Sequence, residues 1–398
     1  MHTLEMGVVT LINRNHLLIF ILTIGVFGIL NTEMGFIGIL PAIAEHFDVS
    51  ISKAGLLVSL FALAVAVSGP IVPLLFSGIN RKKVMLLVLG IFVLGNIVSI
   101  FTTNFNVLLV ARIIPAFFHP VYVSIAISVA ASSVREEEAP KAISKVFIGV
   151  SAGMVVGVPI ASFIANSASL QMAMVFFTVI NALVFIATVL FVPSIPVKER
   201  LSYGAQVSVL KKSVTWLSIV AIILLNSAVF GVYTYFAEYL EKVTNMPSNT
   251  ISLILLLYGA ANIIGNVIAG KLLINHAIKS VVIFPILLGA VYILLFIFGQ
   301  FSIPMAIITL IWGILAGVGA NMNQYLMSSS APEAPDFANG LFLSSCNIGT
   351  TVGAAIGGMF IARMGISYVV FVGLLSVVLS FVTIVVRNRT FASAKLRT

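Results

Sequence analysis

Residues 14–45 read RNHLLIFILTIGVFGILNTEMGFIGILPAIAE, and Glu33 is the one carboxylate in an otherwise uncharged run between Arg14 and Glu45. The run exceeds the ~20 apolar residues that a helix needs to cross a bilayer. An ionisable group inside such a helix costs about 2.5–3.5 kcal/mol on insertion scales and usually faces a water-filled pathway for ions or substrates. The stretch therefore predicts a membrane-spanning helix that carries a functional carboxylate.

Composition extends this prediction to the whole chain. The 398 residues are 60% hydrophobic and 8% charged, with a mean hydropathy of +1.19. A soluble core of this size needs far more charge to coat its surface. We predict an all-α membrane protein with twelve transmembrane helices, because apolar runs of about 20 residues recur between short polar breaks. The predicted spans are 17–40, 54–78, 83–102, 106–131, 144–166, 171–193, 214–238, 249–273, 280–299, 304–328, 339–361 and 366–386.

The net charge of +9 is distributed unevenly between the predicted loops. With the N-terminus inside, the outer loops hold only Lys53, Lys242 and Arg363, and the other loop lysines and arginines are cytoplasmic. This bias predicts a multi-pass protein of the cytoplasmic (inner) membrane of a bacterium, with both termini in the cytoplasm. The basic residues then orient helices and meet anionic lipids of the bilayer, so we expect no nucleic-acid partner.

An internal repeat relates the two halves of the chain. Three glycines four residues apart recur after 200 residues: Gly149, Gly153 and Gly157, then Gly349, Gly353 and Gly357. Two parallel six-helix halves that rock about a midplane site are a recurring plan in transporters. We therefore predict an N-terminal half at 1–192, a cytoplasmic linker at 193–213 and a C-terminal half at 214–398. Small residues four apart let helix backbones approach closely, which is the most direct role for these glycines.

Four motifs lie along the chain. They are Asn31-Thr32-Glu33 with the run Gly38 to Ala44, Arg112 followed seven residues later by His119, Gly149-x3-Gly153-x3-Gly157-Val158-Pro159, and Ala331 to Asp336 with Asn347-Ile348-Gly349. Together they resemble the major facilitator superfamily, and within it the sugar-efflux and purine-efflux branch of the twelve-helix drug:proton antiporters. Pro159 is expected to kink its helix, with the freed carbonyl satisfied by neighbours.

The resemblance implies a function as well as a fold. It implies a secondary active transporter, not an enzyme, that exports a drug, sugar or nucleoside in exchange for protons by alternating access. Protons are then the coupling ion, no other cofactor is expected, and a monomer suffices. The fifth-helix glycines belong to the antiporter signature of this family, beside their packing role.

The loop between the second and third predicted spans departs from the family pattern GxxxDRxGRR. Ser77 and Gly78 occupy its aspartate and arginine positions, and Asn80 replaces its second glycine. Arg81 and Lys82 remain and are candidate residues for conformational control.

The proton-coupling candidates are Glu33, Arg112 and His119, since the family lines its cavity with helices one, four, seven and ten. Glu33 lies ~12 Å of helix from its outer end and Arg112 ~9 Å from the same side, so the two can pair. Arg112 and His119 are seven residues apart and share a helix face. We expect Glu33 to carry the proton while Arg112 tunes its proton affinity; the alternative is a static pair joining two helices.

His119 admits three interpretations. Its unperturbed pKa near physiological pH suits a proton shuttle. It can also hydrogen-bond the substrate, or bind an adjacent helix as a neutral imidazole.

Polar and aromatic side chains on the predicted lining helices are the substrate-binding candidates. Amides and hydroxyls suit a sugar or nucleoside, and aromatic rings suit planar or lipophilic molecules. Packing and interfacial roles explain each residue equally well. The candidates are Asn31, Thr32, Asn226, Tyr233, Tyr235, Trp312 and Asn321.

Two other functions remain open at this level. A proton-coupled importer of a small polar solute uses the same fold and carboxylate with the opposite direction. A non-transporting membrane receptor or enzyme is the alternative from a different class. The ATP-binding pattern GxxxxGK[ST], HExxH and paired metal-ligand patterns do not occur in the sequence, so ATP-driven pumping and metalloprotease chemistry lack support.

Overall fold

The computed structural model describes residues 2–49, 51–197 and 202–395, so residues 198–201 of the predicted linker lie outside the described part. The described residues are helical almost throughout, and no strand occurs among them. The chain divides into two compact units, Met1–Leu201 and Ser202–Thr398.

The first unit contains the helices of the N-terminal half. Asn80, Asn104 and Ser169 each cap the helix that follows by accepting hydrogen bonds from its first turn. The helices are α1 (His2–His46), α2 (Ile51–Ala54), α3 (Leu56–Ser68), α4 (Val72–Phe76), α5 (Arg81–Phe101), α6 (Phe105–Ser132), α7 (Ala139–Ser167) and α8 (Leu170–Phe191), with a 3₁₀ turn at Glu136–Glu138.

The second unit contains seven further helices and two 3₁₀ turns. The helices are α9 (Tyr203–Val207), α10 (Ser213–Tyr233), α11 (Phe236–Lys242), α12 (Ser248–Phe298), α13 (Ser302–Ser330), α14 (Pro335–Met364) and α15 (Val370–Lys395). The 3₁₀ turns are Ser208–Lys211 and Ile366–Val369. Part of the predicted linker is therefore helical, since α9 and the first of these turns lie within it.

Ten helices in the described ranges are long and apolar enough to cross a membrane, and they account for eleven of the twelve predicted spans. Helix α12 holds two spans, which meet at the non-helical backbone of His276 (φ −146°, ψ 42°). The second predicted span, 54–78, is divided among α2, α3 and α4. Pro70 lies two residues after the end of α3, beyond its C-cap Gly69, and proline lacks the N–H that would continue a helix. The prediction of an all-α protein with two six-helix halves is confirmed.

The repeated glycines lie where two helix backbones approach each other in each unit. A Cβ on Gly149 of α7 would lie 2.2 Å from the carbonyl oxygen of Thr23 in α1. A Cβ on Gly349 of α14 would lie 2.5 Å from the carbonyl oxygen of Ile223 in α10. The two contacts share one register, because both glycines and both carbonyls are 200 residues apart.

Candidate functional site

Arg112 of α6 is buried and binds the backbones of two other helices. Its Nε donates to the carbonyl oxygen of Leu57 in α3 at 2.9 Å. Its Nη1 and Nη2 donate to the carbonyl oxygens of Thr32 and Glu33 in α1, at 3.1 and 2.7 Å. A planar guanidinium presents donors in a fixed fork, so these three bonds hold α1, α3 and α6 together around one positive charge.

Two aromatic rings cover the same guanidinium. Its Cζ lies 3.7 Å from the ring centroid of Phe36 and 4.7 Å from that of Phe61. The electron-rich faces of such rings attract a cation, and more strongly where water is excluded. The charge of Arg112 is thus stabilised by ring faces and carbonyl dipoles.

The carboxylate of Glu33 approaches His119 rather than Arg112. Its Oε2 lies 3.3 Å from His119 Nε2, whereas Arg112 binds the backbone oxygen of Glu33. The expected pairing of Glu33 with Arg112 is therefore made through the main chain. Helical side chains tilt towards the N-terminus of their own helix, and α1 and α6 are antiparallel. The side chains of Glu33 and Arg112 therefore tilt in opposite directions, Glu33 towards His119 and Arg112 towards the α1 backbone.

Glu33 and His119 have unused hydrogen-bonding capacity. His119 is 4% exposed, and its ring meets Phe61 edge-on at 6.1 Å. Neither of its ring nitrogens, nor Oε2 of Glu33, has a hydrogen-bond partner among the described residues. The site therefore brings a carboxyl group and an imidazole, both able to change protonation, close together in apolar surroundings.

Asn31 and Thr32 are buried in helix contacts beside this pair. Asn181 of α8 donates to Thr32 Oγ1 at 2.8 Å, and Thr32 donates to the carbonyl of Gly28 at 3.0 Å. Asn31 is fully buried, and a Cβ on Gly157 would lie 2.7 Å from its Oδ1. Thr32 thus joins α1 to α8 through a hydrogen bond, and Asn31 packs against α7. The expected contact of both residues with substrate stays a prediction.

A cavity of about 10 Å³ lies next to Arg112, lined in part by Thr32, Asn96 and Ser99. This volume suits about one water molecule and not a solute. The cavity beside Arg112 is thus too small for an organic solute.

The matching centre of the second unit is aromatic. Trp312 of α13 is fully buried, with Phe236, Tyr258, Tyr292 and Tyr233 at 5.0, 5.2, 5.7 and 6.0 Å between ring centroids. Edge-to-face pairs of this kind stabilise a packed core beyond the apolar area that they bury. Tyr233 is half-buried and also stacks on Tyr258 at 4.6 Å.

The remaining substrate-binding candidates also make contacts within the second unit. Asn226 donates to Cys346 Sγ at 3.3 Å, and Asn321 donates to Asn266 Oδ1 at 2.7 Å. The Tyr235 hydroxyl donates to the carbonyl of Ala354 at 2.8 Å. The structure does not gather these candidates into one cluster with Trp312 and Tyr233, and their role towards substrate stays a prediction.

The loop before α5 ties that helix to the end of α8. Asn80 donates from Nδ2 to Ser194 Oγ at 2.8 Å, and the Arg81 N–H donates to the carbonyl of Ile195 at 3.0 Å. Lys82 Nζ donates to the carbonyl of Val189 at 2.8 Å. The asparagine that departs from the family pattern thus has a structural role of its own.

Several residues of the site were not predicted from the sequence. Phe36 lies three residues after Glu33, a helical spacing that pointed to it, and Tyr122 continues the face of Arg112 and His119. Phe61 and Asn181 had no comparable signal, because each comes from a helix whose position depends on tertiary packing.

Comparisons with known proteins agree with this architecture. The profile of the Major Facilitator Superfamily matches residues 22–334 and 236–397. The uncharacterized MFS-type transporter YtbD of Bacillus subtilis is 32% identical over 362 residues, 90% of this chain and 91% of that protein. A probable sugar efflux transporter of Helicobacter pylori is 26% identical over 359 residues, 89% of this chain and 91% of its own.

A solved structure shares the fold. The fucose:proton symporter FucP of Escherichia coli has a TM-score of 0.76 at 14% identity, over 95% of this chain and 99% of that one. At this identity the likeness concerns the arrangement of the helices alone.

Proposed function

The chain belongs to the major facilitator superfamily and is a transporter of a small solute, and we propose that it exports the solute in exchange for protons. Glu33 is the proposed proton carrier, His119 its proton-exchange partner and Arg112 the fixed charge beside them. The proposed solute is a small organic molecule such as a sugar, a nucleoside or a drug.

The observation that carries the proposal is the position of the Glu33 carboxylate. It is largely buried inside an apolar helix and lies 3.3 Å from His119. A carboxylate kept only as a helix tie would be expected to meet the guanidinium of Arg112 directly. Here the guanidinium binds main-chain oxygens, so the carboxylate can gain or lose a proton without breaking those three bonds.

Arg112 supplies a constant charge to this exchange. Its guanidinium stays protonated at any physiological pH. When Glu33 gains a proton, the positive charge loses its nearest compensating carboxylate, and when Glu33 releases the proton the compensation returns. Such a change in local charge is a means of coupling protonation to conformation, since the same cation binds α1 and α3.

The export direction is supported by the sequence motifs and by one relative. The fifth-helix glycines, which lie in α7, resemble the antiporter signature, and the Helicobacter pylori relative is named a probable sugar efflux transporter. The charge bias of the loops supports a cytoplasmic-membrane protein with both termini inside. A monomer is sufficient for the proposed exchange, and protons are its proposed coupling ion.

The proposal is tested by following the pH gradient in inverted membrane vesicles. An acid-inside gradient is established, and a thiogalactoside, inosine and tetraphenylphosphonium are added in turn to wild-type and Glu33→Gln vesicles. Glu238→Gln is the matched control, because Glu238 is a half-buried carboxylate that pairs with Lys242 within α11 of the second unit.

We expect at least one compound to dissipate the gradient in wild-type and Glu238→Gln vesicles but not in Glu33→Gln vesicles. An equal response from Glu33→Gln would make Glu33 structural and refute its role as the carrier. A compound that moves with protons in the same direction would identify an importer instead.

A further inference from the structure

Tyr122 has a buried hydroxyl without a protein partner. The residue is fully buried in α6, and its hydroxyl oxygen makes no hydrogen bond to any described residue. Tyr122 follows His119 by three residues, so the two side chains are neighbours on one helix face. Arg112, His119 and Tyr122 thus follow one another along the face of α6 that contacts α1.

The hydroxyl lies directly against the backbone of α1. A Cβ built on Gly25 would lie 1.8 Å from this oxygen, so only glycine leaves room for it there. Gly25 precedes Glu33 by eight residues, ~12 Å along α1. His119 meets α1 at Glu33 and Tyr122 meets it at Gly25, so the two side chains mark a line along the α1–α6 interface towards the N-terminal end of α1.

Other fully buried tyrosines of the chain satisfy their hydroxyls. Tyr239 donates to the carbonyl of Leu295 at 2.9 Å, and Tyr292 donates to that of Ala228 at 2.6 Å. Buried polar groups are nearly always paired, so each exception calls for a reason. A phenylalanine would supply the same ring at position 122 without an unpaired hydroxyl, which indicates that the hydroxyl itself has a role.

We propose that Tyr122 is the proton-relay residue that follows His119 on the route between Glu33 and the cytoplasm; this rests on the proposed proton exchange. The Glu33 carboxyl releases its proton to Nε2 of His119, which releases the proton on Nδ1 to a bridging water. That water passes a proton to the Tyr122 oxygen, and the tyrosine O–H proton leaves to the next water. Histidine and tyrosine end with their original charges, and only Glu33 becomes ionised.

The relay is tested by a pH jump on the purified full-length protein in lipid nanodiscs, followed by time-resolved infrared spectroscopy. The band of the protonated Glu33 carboxyl is identified by its loss in Glu33→Gln. We expect Tyr122→Phe to slow the decay of this band at least about tenfold, because a positioned proton-transfer group contributes 10²–10⁴-fold. Its titration midpoint should stay unchanged, since a relay alters a rate and not an equilibrium.

Tyr239→Phe is the matched control, because it removes a buried tyrosine hydroxyl from the second unit. It should leave both the rate and the midpoint at their wild-type values. Gly25→Ala is a second test of the same site, since the added methyl group displaces the Tyr122 hydroxyl while the hydroxyl itself is kept. It should slow the decay as Tyr122→Phe does.

The outcomes separate this proposal from the one on which it rests. A Glu33 band that decays at the wild-type rate in Tyr122→Phe overturns the relay and leaves the proton-carrier role intact. A shifted midpoint together with a lowered unfolding temperature also overturns it, because Tyr122 would then be structural. If no band depends on Glu33 at any pH, both proposals fail.

Discussion

The centres of the two units have matching geometry and opposite chemistry. In the first unit Phe36 covers the guanidinium of Arg112 at 3.7 Å. In the second unit Phe236 meets the indole of Trp312 at 5.0 Å, and both residue numbers are higher by 200. The same shift relates Glu33 to Tyr233, so a carboxylate and its neighbouring cation in one unit are aromatic rings in the other.

This difference indicates that the repeat conserves backbone contacts and varies the charge they enclose. The glycine contacts of α7 on α1 and of α14 on α10 keep the same register. At its centre the first unit holds groups that can change protonation, and the second holds a closely packed set of aromatic rings. All three residues proposed for proton exchange therefore lie in the first unit.

The largest expected effect comes from exchanging the cation at the centre of the first unit. Arg112→Lys should lower proton-driven transport about 100-fold, because an ammonium cannot reach three carbonyls on two helices or stack flat on Phe36. Trp312→Phe, at the matching position, should stay within about threefold of wild type, since it keeps an aromatic ring there. Initial transport rates in inverted vesicles measure both effects. Equal losses of rate in the two variants would contradict the proposed difference between the two units.

The second prediction tests the shared framework. Gly149→Ala and Gly349→Ala should each destabilise the protein by about 2 kcal/mol, since each new methyl group meets a backbone carbonyl that cannot move aside. Thermal unfolding in detergent measures the effect. Gly204→Ala is the control, because nothing lies within 4 Å of its Cβ position. If only one of the two glycine variants loses stability, the two helix contacts are not equivalent.

A smaller effect is expected from shortening the carboxylate. Glu33→Asp withdraws the carboxylate by one methylene from His119 and should lower proton-coupled transport about tenfold, as misplaced reacting groups do. Glu238→Asp, at the pair with Lys242, should leave the rate unchanged. Dye-reported pH changes in vesicles give the comparison. A wild-type rate in Glu33→Asp would mean that the separation of Glu33 from His119 is not critical.

The smallest expected effect distinguishes the buried tyrosines of the two units. Tyr292→Phe should lower the free energy of unfolding by about 1 kcal/mol, because it removes the hydrogen bond to the Ala228 carbonyl. Tyr122→Phe should leave the free energy of unfolding unchanged, since the Tyr122 hydroxyl has no partner among the described residues. Unfolding temperatures decide the matter. A comparable loss of stability in both variants would mean that a protein group holds the Tyr122 hydroxyl, which would contradict its assignment as a relay.

Much of the fold could be predicted because apolar span length is a local property of the chain. The spans, the six-helix halves and the repeated glycines all follow from residues read in order. The exact ends of the helices were harder to predict. One helix ends near Pro70 within a single predicted span, and α12 joins two predicted spans. In both places a short local signal competes with the long apolar run on either side of it.

The site was predictable only in part. Glu33, Arg112 and His119 were found because charge and imidazole stand out in apolar helices, and spacing put two of them on one face. Their partners were not found from the sequence, since the Leu57 carbonyl and the rings of Phe36 and Phe61 do not stand out in a hydrophobic sequence.

The sequence by itself determined a twelve-span membrane protein of the major facilitator superfamily and singled out Glu33 as the carboxylate within its first span. Only the tertiary structure decided that Arg112 binds the backbone of Glu33, that the carboxylate meets His119, and that the Tyr122 hydroxyl lies against Gly25. The reason is geometric: helical side chains tilt towards their own N-terminus, so partners across antiparallel helices depend on helix register. Register is set by the packing of whole helices, here through glycine contacts far along the chain from the site.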